Sequence, residues 1–129
     1  FPELPEMAFV RIGDFIRVSC DTAATLNFSH VLVYCMPGKL AKYALGLENT
    51  HAHKVPMSIP DLLKCLADHG ASATGLTKCC DARSVRECLG LMTGAEGDEW
   101  VRILTRLATH QLKEWLPESK LEIKLVHPK

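Results

Sequence analysis

Apolar residues along this chain form three short stretches with the character of β-strands. Ala8 to Ile12 is an apolar run that ends at Gly13. Val31 to Cys35 is apolar at every position, which is typical of a strand buried on both faces in a parallel sheet. Leu121 to Val126 alternates strictly between apolar and polar residues, so we expect an edge strand that closes the sheet.

Between these stretches, apolar residues recur at the three- and four-residue spacing of helices. The pattern predicts a helix capped by Asp14 and ending near Leu26, one from Leu40 to Leu47, one capped by Ser58 and ending near His69, one from Ala82 to Met92 opened by Asp81, and one capped by Asp98 and ending near Trp115.

Strands alternating with helices predict a single α/β domain over residues 1–129. Its first strand, helix and second strand would form a right-handed βαβ unit. We expect three layers, with helices on both sides of a small, mostly parallel sheet.

Composition narrows the possible partners. The 129 residues contain 15 Lys+Arg and 15 Asp+Glu, and this balance argues against nucleic acid as a partner. Mean hydropathy is +0.05, and apolar runs fall well short of the ~20 residues that span a bilayer, so we expect no membrane insertion.

Six cysteines lie within these periodic segments rather than in the short loops of a secreted scaffold. We interpret them as buried thiols of a cytoplasmic protein. No pair of cysteines has the spacing of a zinc site, and we predict no bound metal.

The turn after the second strand is the best candidate for a binding site. Met36-Pro37-Gly38-Lys39 interrupts the apolar run, so that backbone N–H groups and a lysine follow the strand's carboxyl end. A ligand can approach the backbone of Gly38 closely, and Lys39 supplies a positive charge. On its own, the same pattern fits an ordinary turn with a solvated lysine. The spacing is not that of a Walker A loop.

Polar residues follow the next predicted helix. Asn49 and Thr50 could cap or turn the chain as well as contact a ligand. His51 is predicted to contact substrate or donate a hydrogen bond, whereas a metal site shared with His53 lacks a suitably spaced third ligand. Asp14 is interpreted first as a helix cap, although Gly13-Asp14 would also lie beside the Met36 turn in a doubly wound sheet.

Three segments together resemble the CbiD family, whose members are cobalt-precorrin-5B C1-methyltransferases of anaerobic cobalamin biosynthesis. They are Gly13-Asp14-Phe15, the run from Met36 to Gly46, and Asn49-Thr50-His51. The resemblance extends from about Met7 to the end of the chain. The resemblance is to the C-terminal part of CbiD proteins, because their N-terminal domain, with its Gly-Tyr-Thr-Thr-Gly start, has no counterpart in this sequence.

The resemblance implies transfer of a methyl group from S-adenosyl-L-methionine to C1 of a corrinoid substrate. It implies no general base, since this chemistry mainly requires alignment of donor and acceptor. It also implies that the site needs the missing N-terminal domain or a fused partner, so we expect the chain alone to be inactive. Alternatives are an anion- or nucleotide-binding module and an assembly domain without catalysis. The positions expected to bind substrate or cofactor are Gly13, Asp14, Met36, Gly38, Lys39, Asn49, Thr50 and His51.

Overall fold

Six helices and two strands make up the part of the chain that the structure, a computed structural model, describes: residues 15–47 and 58–126. In chain order they are α1 (Ile16–Thr25), β1 (His30–Cys35), α2 (Pro37–Ala44), α3 (Ile59–Asp68), α4 (Ala73–Lys78), α5 (Val85–Leu91), α6 (Gly94–Trp115) and β2 (Lys120–Leu125). The predicted α/β class is confirmed.

The two strands pair in parallel, as predicted. The register places His30 opposite Lys120 and Cys35 opposite Leu125. At their amino ends, Ser119 Oγ donates a hydrogen bond to the Phe28 carbonyl at 2.5 Å, and the Lys120 N–H donates to Ser29 O at 2.8 Å. These bonds hold the start of β2 beside the start of β1. The predicted strand at Ala8 to Ile12 lies outside the described residues.

One face of the sheet packs on the core. Side chains alternate along each strand, so one face carries Val31, Val33, Cys35, Leu121, Ile123 and Leu125. The opposite face carries His30, Tyr34, Lys120, Glu122 and Lys124, all of which are exposed. The expectation that Val31 to Cys35 is buried on both faces was therefore wrong, because Tyr34 is 52% exposed. The third layer is not confirmed.

The long helix α6 organises the core. Trp100, Leu104 and Leu112 are buried, and α2 packs along much of the helix. Its start lies five residues before the predicted one, because Thr93 rather than Asp98 provides the cap. Thr93 Oγ1 accepts from the Glu96 N–H at 3.2 Å, and the Glu96 carboxylate accepts from the Thr93 N–H at 2.9 Å. This reciprocal pair is a capping box.

Two other helices begin elsewhere than predicted. Helix α2 starts at Pro37 rather than Leu40, because the proline suits the first helical position. Helix α5 starts at Val85 and is capped by Ser84, whose Oγ accepts from the Glu87 N–H at 3.1 Å. In α3 the predicted cap is confirmed, since Ser58 Oγ accepts from the Asp61 N–H at 3.3 Å.

Helix α1 buries Ile16 and Cys20 and turns Val18 outward. Phe15 occupies its N-cap position, where the structure gives no side-chain capping bond, whereas the predicted cap Asp14 lies outside the described residues. The helix ends at Thr25, and two residues later Asn27 adopts the left-handed conformation with φ of 59°.

The short helix α4 was not predicted from the sequence. Gly75 in its middle is buried, and a Cβ there would lie 3.2 Å from Met92 Sδ and 3.6 Å from Trp100 Nε1. Close packing against these side chains therefore requires glycine. Within residues 15–47 and 58–126, no helix is both long enough and apolar enough to cross a bilayer.

Candidate functional site

The junction between β1 and α2 holds three of the residues predicted to bind a ligand. Met36 is the N-cap of α2 in extended conformation, and its carbonyl accepts the first helical hydrogen bond, from Leu40 N at 3.1 Å. Pro37 has no N–H to offer. The N–H group of Gly38 lies in the first turn, where a helix provides no backbone acceptor for it, and Lys39 belongs to the same turn. The first turn of α2 directly follows the carboxyl end of β1.

Gly38 leaves space over this turn. A Cβ built on Gly38 would meet no atom of residues 15–47 and 58–126 within 4 Å, its chain neighbours and the α2 backbone aside, so these residues leave room there for a ligand. A helix start favours negative charge through its dipole. Together these features suit a carboxylate or a phosphate.

Lys39 is half-buried and belongs to the same turn. Its charge acts on the neighbouring Cys35 thiol and favours the thiolate, but burial is the larger effect and raises the Cys35 pKa to about 11. Cys35 is therefore a neutral side chain beneath the turn at physiological pH. It packs in the core and is not a nucleophile.

Sequence reasoning missed the contribution of β2 to this edge. The Val126 N–H donates to Cys35 O at 2.8 Å, which continues the parallel pairing one residue beyond both strands. Val126 thus comes beside Met36, and their exposed fractions are 43% and 46%. The alternation of apolar and polar residues from Leu121 to Leu125 predicts a strand. Only its parallel register with β1 shows that Val126 comes beside Met36.

The far end of α2 is shaped by Gly46. Its φ is +79°, and its N–H donates to Tyr43 O at 3.0 Å while Leu47 N donates to Lys42 O at 3.1 Å. A Cβ at Gly46 would also lie 3.0 Å from Gln111 Oε1 of α6. The positive φ therefore favours glycine at this position, and the Gln111 side chain would have to shift to admit a larger residue.

The remaining predicted site residues are Gly13, Asp14, Asn49, Thr50 and His51, and they lie outside the described residues. The structure brings Met36, Gly38 and Lys39 together at one edge. The described ranges contain no group of three or more His, Cys, Asp or Glu side chains placed to hold a metal.

Two concave regions lie away from this edge. A cavity of about 350 Å³ is bounded by the loops at the amino ends of the strands, including Phe28 and Pro117. A shallower groove of about 290 Å³ runs along α1 past Val18 and Leu26. Met36, between β1 and α2, is 46% exposed.

Comparison with curated proteins gives consistent matches along the chain. A protein of Thermus thermophilus is 35% identical over 118 residues, which cover 91% of this chain and 32% of that protein. A protein of Methylococcus capsulatus is 32% identical over 126 residues, which cover 91% of this chain and 31% of that protein. A protein of Nitratidesulfovibrio vulgaris is 32% identical over 93 residues, which cover 72% of this chain and 24% of that protein. All three are named cobalt-precorrin-5B C(1)-methyltransferase.

The chain belongs to the CbiD family. It spans about a quarter to a third of the length of the CbiD proteins it matches. No protein-family profile matches it, and no solved structure does.

Proposed function

We propose that this chain is the C-terminal domain of a cobalt-precorrin-5B C1-methyltransferase. The observation that carries the proposal is that relatives of this one name match about nine tenths of the chain. S-adenosyl-L-methionine is the proposed methyl donor, and cobalt-precorrin-5B is the proposed acceptor.

In the proposed reaction, C1 of the macrocycle attacks the methyl carbon of the sulfonium. A C–C bond forms as the S–CH₃ bond breaks, and the bonding electron pair stays on sulfur in S-adenosylhomocysteine. The acceptor carbon draws its electron density from the conjugated ring, so the protein mainly aligns the two reactants and excludes water.

Met36, Gly38 and Lys39 are proposed to form one wall of this site. The Gly38 N–H group and the Lys39 ammonium suit a carboxylate, which both the donor and the corrinoid carry. Gly13, Asp14, Asn49, Thr50 and His51 are proposed to complete this wall. The other wall would come from the N-terminal domain.

The test is a chimaera in which this chain replaces the matching third of the Thermus thermophilus relative. We expect the chimaera to convert cobalt-precorrin-5B and to release S-adenosylhomocysteine, and the 129-residue chain alone to do neither. A chimaera that melts cooperatively and binds both reactants without transfer would contradict the assignment. Transfer by the chain alone would contradict the shared site.

A second candidate is an anion- or nucleotide-binding module, favoured by the open backbone at Gly38 beside Lys39. Phosphates suit such a helix start as well as carboxylates do. Thermal shift of the chain with S-adenosyl-L-methionine, S-adenosylhomocysteine and ATP separates the two functions. Stabilisation by ATP alone would favour the module. An assembly domain would respond to none of the three.

A further inference from the structure

The outward face of the sheet differs in character between its two ends. Toward the amino end, exposed His30 lies opposite exposed Lys120, and half-buried Leu32 lies opposite exposed Glu122. Toward the carboxyl end, Tyr34 lies opposite Lys124. The aromatic ring of Tyr34 is thus displayed on an open surface beside a cation.

An apolar patch continues from this pair to the edge of the sheet. By strand alternation, Met36 and Val126 lie on the same outward face as Tyr34 and Lys124. Tyr34, Met36 and Val126 are exposed by 52%, 46% and 43%. We call these four residues the outer patch. It borders the first turn of α2, which carries Gly38 and Lys39.

We propose that the outer patch binds the flat face of a macrocycle with carboxylates at its rim, an inference that rests on the proposed function. A conjugated ring buries its apolar face against Tyr34, Met36 and Val126. Lys124, opposite Tyr34 in the register, supplies a positive charge for a rim carboxylate. The ring then lies beside the α2 start, where the methyl donor is placed.

The charges favour this occupant over a covering layer of protein. Lysine is depleted at the centre of protein–protein interfaces, whereas Lys124 stands within the patch. Glu122 lies one step further toward the amino end, opposite Leu32, and would repel carboxylates there. The ring is therefore confined to the carboxyl end of the face.

The experiment is a titration of the ¹⁵N-labelled chain, followed by NMR, with two diamagnetic corrinoids. Dicyanocobyrinic acid carries rim carboxylates, and dicyanocobinamide has the same ring with amides. We expect shifts for the acid that cluster in residues 34–39 and 124–126. Affinity for the amide should be lower by about 5-fold or more, because charge-assisted hydrogen bonds are lost.

Matched variants test the residues themselves. Tyr34→Thr keeps a strand-forming residue, and Lys124→Gln keeps the side-chain length. Each should weaken binding of the acid about 3- to 10-fold. Val18→Thr on the exposed side of α1 and Lys64→Gln on α3 remove comparable groups elsewhere and should leave binding unchanged. Melting temperatures identify any variant that fails to fold.

Each remaining outcome decides against the outer patch. Shifts centred on the α1 groove, equal affinity for acid and amide, or no binding of the acid would overturn it. Shifts confined to residues 37–39, with no effect of Tyr34→Thr, would also overturn it but leave the proposed function standing. If the acid binds at the outer patch but the chimaera transfers no methyl group, the outer patch stands and the proposed function is contradicted.

Discussion

At the scale of single residues, the proposed site gives Gly38 and Lys39 separable roles. Gly38 leaves room for a ligand to approach the backbone, whereas Lys39 supplies a positive charge on a half-buried side chain. Both could be predicted from the sequence, because a Pro-Gly-Lys turn after an apolar strand has a limited set of geometries. Val126 could not, since its place beside Met36 depends on pairing with a strand about 90 positions away.

The first prediction concerns Lys39. In the intact protein, Lys39→Ala should weaken binding of a carboxylate ligand such as S-adenosylhomocysteine by about 1.5–3 kcal/mol, the range for hydrogen bonds to charged groups. Titration calorimetry measures this loss. The control is Lys64→Ala, which removes an exposed lysine from α3. Equal small effects of the two variants would make Lys39 an ordinary surface lysine.

Gly38→Ala provides a complementary test at the same turn. Apart from its chain neighbours and the α2 backbone, the added methyl group meets no atom of the described residues within 4 Å, so the free energy of unfolding should change by no more than about 1 kcal/mol. Binding of the same ligand should fall, because the methyl group occupies the space above the turn. Unchanged affinity would place the ligand elsewhere.

At the scale of elements, the sequence predicts long helices better than short ones. The apolar residues of α6 recur over many turns, and Leu104, Ala108 and Leu112 are buried at helical spacing. The start of α6 was misplaced although Thr93 and Glu96 have the spacing of a capping box. By contrast, α4 has six residues with a glycine among them, and its position depends on packing against Met92 and Trp100. Local propensity does not contain that information.

The second prediction concerns the cap of α6. Thr93→Ala removes the acceptor of the Glu96 N–H and should lower the free energy of unfolding by about 1 kcal/mol, within the range of 0.5–2 for lost N-caps. Urea denaturation measures it. Ser72→Ala is the matched control, because Ser72 is the N-cap of α4 but its side chain makes no capping hydrogen bond. Losses of similar size would show that the capping box contributes little.

At the scale of the whole molecule, the core contains several thiols. Cys20, Cys35, Cys79 and Cys88 are buried, while Cys80 is exposed. Burial raises the pKa of Cys20 and of Cys35 to about 11. It also raises that of Cys88 to about 12, with a contribution from the neighbouring Cys79. The sequence predicted burial from the apolar surroundings of these residues, but Cys80 shows that adjacent positions in a turn differ in exposure.

The third prediction is a loss of stability in alkali. From about pH 9 upward the unfolded chain releases thiol protons that the folded chain retains up to about pH 11, so the folded state binds more protons and its stability falls as pH rises. Urea denaturation between pH 8 and 10.5 measures the slope. Cys35→Ala and Cys20→Ala should each make it shallower by up to one proton. Identical slopes in all three proteins would contradict the assignment.

The pairing of β1 with β2 also determines when the molecule can fold during its synthesis. Closing a loop of about 90 residues costs roughly 4 kcal/mol of chain entropy before the sheet contributes anything. Strand β1 must wait for β2, which is translated about 90 residues later, after α2 and α6. A ribosome that stalls before residue 120 would hold a nascent chain whose β1 lacks β2. Such a bare edge is open to pairing with other chains.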